Sequence, residues 1–210
     1  IQSWRGKDMG MKLKQNDIAW VKVIDQKKAT GSLRKAYESV KGRDGTVENL
    51  YLAMSQTPEV IKPADDHYLA VLHNPNSPLI PWFAELISTY VAILCGSKYA
   101  FLNHGENFEF YYQNRKRSKV ILTSLHEETW CETLRPEGEH IVEALKFSQK
   151  LTLNPAKMHE KDIADLRDVG FDDEEISYIV QIVSSFAYWS RMINAFGTKI
   201  GENIGFSNTK

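Results

Sequence analysis

Glu85-Leu-Ile-Ser-Thr-Tyr-Val-Ala-Ile-Leu-Cys-Gly-Ser-Lys-Tyr-Ala-Phe-Leu-Asn-His104 is the stretch on which the reading of this chain turns. Its first half is an apolar run with helical periodicity, and Gly96 is the residue that ends such a run. Ser97 is suited to cap a second helix. On that helix Ser97, Ala100 and His104 fall on one face at i, i+3 and i+7. Glu85 lies within Trp82-Phe-Ala-Glu-Leu-Ile87, where an unpaired carboxylate is costly. It therefore needs a partner, and two residues qualify: His104, or Arg191 as one half of a buried structural ion pair.

Working outward, the pattern is helical nearly throughout. Trp20-Val-Lys-Val-Ile24 is the one β-like run, too isolated to imply a sheet. Thr30-Gly-Ser32 opens a helix whose apolar face holds Leu33, Ala36, Tyr37 and Val40, with Gly42 as its stop. A shorter helix is expected over about 47–55, and Pro58 opens another to about Leu72, followed by the loop His73-Asn-Pro-Asn-Ser-Pro78. The central pair covers Pro81 to about Leu94 and Ser97 to about Asn114. Helices follow over about 118–128, 141–151 and 155–169, with a polar loop before Gly138. Asp172-Asp-Glu-Glu175 then gives a long last helix an acidic N-terminus that complements its dipole. The expected fold is all-α, one domain over residues 19–206, with tails at 1–18 and 207–210.

Composition sets the class. A chain of 210 residues, 42% hydrophobic and 25% charged with net charge −1, is an ordinary globular sequence with no bulk attraction for nucleic acid or anionic membrane. Arg115-Lys-Arg117 with Lys119 reads as a solvated helix end. No apolar stretch reaches the ~20 residues needed to span a bilayer, and residues 1–17 lack the charged start and apolar block of a secretory signal. Two cysteines, Cys95 and Cys131, make neither a disulfide framework nor a zinc site and suit a reducing, cytoplasmic setting. Glu137-x-x-His140 has the spacing used in carboxylate-bridged di-iron sites, which need a second such motif that the chain lacks. His126-Glu-Glu128 lacks the second His of a zincin motif. Phe108, Phe110, Tyr111 and Tyr112 read as core or subunit interface. Neither a metal nor another cofactor is expected.

The central stretch, together with Ala19-Trp-Val-Lys-Val-Ile24, Ala29-Thr-Gly-Ser-Leu-Arg-Lys-Ala-Tyr37, Val47-Glu-Asn-Leu-Tyr-Leu-Ala-Met-Ser55, Asp165-Leu-Arg-Asp-Val-Gly170 and Phe186-Ala-Tyr-Trp-Ser-Arg191, resembles the alkylhydroperoxidase D / carboxymuconolactone decarboxylase superfamily, in its longer peroxidase-related branch. The resemblance implies an alkylhydroperoxidase-D-like bundle forming a homo-oligomer (dimer, trimer or hexamer). In its redox-active members a Cys-x-x-Cys carries the chemistry, its second cysteine attacking the peroxide and its first resolving the disulfide. Here those positions match Ala100 and Ser97, while the Glu and His of the relay match Glu85 and His104. Cys95, two positions before Ser97, reads as a structural cysteine, and Cys131 is flanked by acidic residues that disfavour a thiolate. The decarboxylase branch also lacks the cysteines yet retains a Glu and a His.

The expected function is therefore non-redox acid/base chemistry on a small carboxylic acid, keto acid or lactone. His104 would shuttle the proton, Glu85 would orient it and Ser97 would complete the catalytic set, with Tyr99, Ala100 and Arg191 around the substrate. A redox-dead oligomeric binding or structural protein is the alternative, and a peroxidase-related antioxidant protein a third. A solvent-reachable cavity at Glu85 and His104 separates the first from the second, because in a relic Tyr99 or Trp82 would fill that space.

Overall fold

The computed structural model describes residues 18–42 and 44–201, which contain ten α-helices and no strand. The expected all-α fold is therefore what the chain adopts. The outer limits of the sequence-defined domain and both tails fall largely outside the described residues. Trp20–Ile24 is irregular rather than extended into a sheet, and the Trp20 amide donates to the Phe196 carbonyl at 2.7 Å, tying this segment to the last helix.

The helices are α1 Gly31–Ser39, α2 Asn49–Ala53, α3 Pro58–Leu72, α4 Pro81–Leu94, α5 Lys98–Tyr112, α6 Arg115–His126, α7 Trp130–Leu134, α8 Glu139–Leu153, α9 Glu160–Asp168 and α10 Asp173–Phe196. Both proline-opened helices begin and end where the sequence placed them, since proline at the first turn surrenders an amide that has no helical partner. Three expectations need correction. Asn114 caps α6 by accepting from the Arg117 amide at 3.1 Å, so this helix starts earlier than its apolar pattern suggested. The polar loop before Gly138 contains α7, whose Trp130 and Leu134 are buried under α8. Residues 155–169 divide into a 3-10 turn at Pro155–Lys157 and α9, which begins with a His159/Asp162 capping box.

α4 is the axis of the bundle. Every residue from Phe83 to Ala92 is buried, and the helix packs against α5, α8 and α10. A helix apolar on all sides has to lie inside. Its Ser88 and Thr89 hydroxyls donate to carbonyls one turn back, at 2.8 and 2.7 Å, which leaves them no unmet polarity. The main core joins Leu86, Ile87 and Val91 of α4 to Phe108, Ile121, Leu145, Ile179 and Phe186. Each such side chain contributes about 1.5–3 kcal/mol on burial. A second cluster packs α1, α2 and α3, through Leu33, Tyr37, Met54 and Ile61, against Ala92, Ala100 and Trp189. The seam between these clusters is where the candidate site lies.

Candidate active site

α4 and α5 form a hairpin around Gly96, whose φ of +65° is a left-handed conformation that other residues adopt only at a cost. The hairpin sets Glu85 of α4 opposite His104 of α5. Glu85, only 1% exposed, accepts a hydrogen bond from His104 Nδ1 at 2.7 Å and another from Asn107 Nδ2 at 3.2 Å. Arg191 is not its partner: it is exposed on α10, two residues from the inward-facing Trp189 and Ile193. Phe186 packs edge-on against the His104 ring at 4.5 Å between centroids and fixes its plane. A carboxylate can only accept, so Nδ1 carries the proton and Nε2 of the neutral ring holds a lone pair. Among the described residues Nε2 has no protein hydrogen-bond partner.

His104 borders a cavity of about 130 Å³, several times what a single water requires. Tyr99 and Ala100 line it, and Tyr99 walls the space without filling it. Trp82 is elsewhere, packed against Phe83, Phe108 and Tyr112. Ser97 does not belong to this site. It sits at the N-cap of α5 in an extended conformation (φ −92°, ψ 94°), so the i, i+3, i+7 face does not extend to it. Its buried hydroxyl has no hydrogen-bond partner among the described residues, and the residue borders a different space of about 590 Å³ beside Phe101 and His126. Arg191 lines neither.

The cavity also recruits residues that the local sequence did not single out. Glu48, just before α2, is exposed as a residue, yet it lines the cavity and accepts from the Tyr99 hydroxyl at 3.2 Å. Burial of its carboxyl group pushes its pKa up, against the opposing pull of Tyr99 and His104. Tyr68 of α3 lies 6.2 Å from the His104 ring, and its hydroxyl meets His73 Nε2 at 2.8 Å. Burial holds His73 below the ordinary histidine value. Trp189 of α10 is 3% exposed and its indole N–H has no acceptor among the described residues. Glu48 stands in the resembling segment at 47–55, but nothing in its local pattern marks it as more than a helix-entry residue. Tyr68 and Trp189 look like core aromatics until the helices are assembled.

Neither cysteine lines the cavity. Cys95 caps α4, its carbonyl accepting from Asn194 Nδ2 at 2.9 Å, and burial raises its thiol pKa. Cys131 is on α7. Glu137 is held by Arg117 at 2.8 and 2.9 Å and by the Tyr112 hydroxyl at 2.6 Å, a structural clamp between α5, α6 and the turn before α8. Among the described residues no group of three or more His, Cys, Asp or Glu is arranged to hold a metal ion, and no helix is long and apolar enough to cross a membrane.

An all-α bundle with a Glu–His pair buried in its central hairpin and opening on a small cavity is the class that fold and site define. No protein-family model matches the chain, and no curated protein matches it in sequence. Solved structures do match. An uncharacterized peroxidase-related protein with an alkylhydroperoxidase AhpD core, from Ralstonia eutropha JMP134, superposes with a TM-score of 0.73 at 19% identity, over 88% of this chain and 93% of that one. An uncharacterized peroxidase-related protein from Silicibacter sp. TM1040 gives 0.70 at 19% identity, over 91% and 96%. The debrominase Bmp8 gives 0.66 at 16% identity, over 86% and 91%. A cysteine-to-alanine variant of Bmp8 in complex with 2,3,4-tribromopyrrole gives 0.61, also at 16% identity, over 81% and 84%. The chain thus has the AhpD-like fold of peroxidase-related proteins.

Proposed function

We propose that this protein carries out non-redox acid/base chemistry on a small organic substrate held in the Glu85/His104 cavity. The observation that carries this reading is the 2.7 Å bond from His104 Nδ1 to a buried carboxylate, made at the edge of open space. Glu85 fixes the tautomer and the ring's orientation, so that Nε2 is placed to take a proton from substrate. His104 then returns that proton to a second substrate atom, so the cycle is redox-neutral. Ala100 supplies no nucleophile to the cavity, which argues against thiol peroxidase chemistry. That a same-fold debrominase with a cysteine changed to alanine still holds a brominated pyrrole supports retention of a small-ligand pocket without the thiol. Among the described residues no lysine or arginine lines the cavity to receive a carboxylate. Assembly as a homo-oligomer is part of this reading, and light scattering on the purified protein tests it.

The first experiment is a thermal-shift screen of carboxylic acids, lactones, keto acids and hydroperoxides against the parent, His104→Gln and His104→Ala. A compound that raises the parent melting temperature but not that of either variant supports the reading. Failure of every compound, with His104→Ala melting much lower, would instead favour a structural pair in a binding protein.

A further inference from the structure

The charge of the cavity points to a ligand class. Among the described residues no lysine or arginine lines it, whereas Glu48 does. Two more carboxyl groups stand just behind the wall: Asp65, which accepts from the Tyr51 hydroxyl at 2.5 Å, and Glu85 behind His104. The wall itself is aromatic, formed by Tyr51, Tyr68, Tyr99, Phe186 and Trp189. The three tyrosine hydroxyls are engaged by Asp65, His73 and Glu48, so these residues present chiefly their rings to a guest. Aromatic faces and fixed carboxylates both attract positive charge, and among the described residues no lysine or arginine lines the cavity to pair with an anion. Trp189 adds a buried N–H without an acceptor, which favours a guest that also carries one.

Resting on the acid/base reading above, we infer that the cavity takes a small organic cation, a protonated amine whose ammonium group sits against Glu48 and whose apolar part lies along the rings. The partly desolvated Glu48 carboxyl group then receives a charge-assisted hydrogen bond in place of water.

Calorimetric titration near neutral pH with benzylamine, benzyl alcohol and benzoate tests this on the parent, Glu48→Gln and His104→Gln. Benzylamine should bind roughly tenfold more tightly than benzyl alcohol, and benzoate more weakly than either. Glu48→Gln should erase the advantage of benzylamine over benzyl alcohol. Equal or tighter binding of benzoate, an advantage that survives Glu48→Gln, or absence of benzylamine binding overturns the inference. The two readings separate cleanly. Benzyl alcohol binding that depends on His104, with no gain for the amine, sinks the cation and keeps the acid/base site. Amine binding that needs Glu48 but is indifferent to His104→Gln does the reverse.

Discussion

Glu85 is a carboxylate buried in an otherwise apolar helix, and it is tolerated because α5 brings two donors to it, His104 and Asn107. Replacing it with glutamine keeps the shape but leaves one oxygen to serve two donors and turns an amide N–H₂ toward one of them. Glu85→Gln should therefore cost about 1–3 kcal/mol, measured by urea denaturation, and unchanged stability would show that the pair is not held as a carboxylate–imidazole bond. Ala100 makes the converse point. It is 2% exposed, lines the cavity and lies one turn before His104 on α5. In a background with Cys95 and Cys131 both changed to serine, Ala100→Cys should create a thiol that consumes hydrogen peroxide, aided by the helix N-terminus. Loss of free thiol on peroxide addition is the readout; an inert thiol would mean that the cavity does not activate a thiolate toward peroxide.

At the scale of the elements, the hairpin turn and the last helix end use glycine for different reasons. Gly96 has φ +65°, but an added Cβ would meet nothing within 4 Å. Gly197 has φ +59°, and its Cβ would come within 2.2 Å of the Trp20 ring. Gly96→Ala should thus cost only the left-handed backbone, about 1–2 kcal/mol, while Gly197→Ala should cost more because the indole must also move. Melting temperatures of the two variants check the order, and an equal or reversed order would contradict the Trp20 packing.

For the molecule as a whole, the pH dependence of stability follows from groups whose titration changes on folding. Burial holds His73 and His126 below their ordinary 6.5. As pH falls below about 6.5 the unfolded chain takes up protons there before the folded one does, so stability declines with acidification. Glu137 adds to the loss further down. Burial would raise its pKa, but Arg117 and Tyr112 outweigh that and hold it below 4.5, so its contribution disappears as pH falls through the folded value. Glu48 and Asp65, raised chiefly by burial, act in the opposite sense: their stabilising contribution is full at low pH and is lost as pH rises through their folded pKa values. His73→Gln, which retains a partner for the Tyr68 hydroxyl, should flatten the decline that begins near pH 6.5. Urea midpoints above and below that pH test it, and parallel curves for parent and variant would remove His73 from the account.

Much of this architecture was already written in local order along the chain. Proline at first turns fixed where α3 and α4 begin, glycine fixed the α4–α5 break, and a charge inside an apolar run required a partner within the protein. These are short-range effects of backbone geometry and desolvation, so they survive without knowledge of the rest of the chain. The sequence left Glu85 with two candidate partners, and only the crossing of α4 and α5, with Arg191 turned outward on α10, decided for His104. Ser97 was misplaced because helical periodicity does not hold at an N-cap, where the backbone is still extended. Glu48, Tyr68 and Trp189 come from three separate segments and reach the cavity only through packing. Local pattern specifies elements and the demand for burial; which distant side chains meet at a shared surface depends on how the helices pack, and that is a property of the assembled fold.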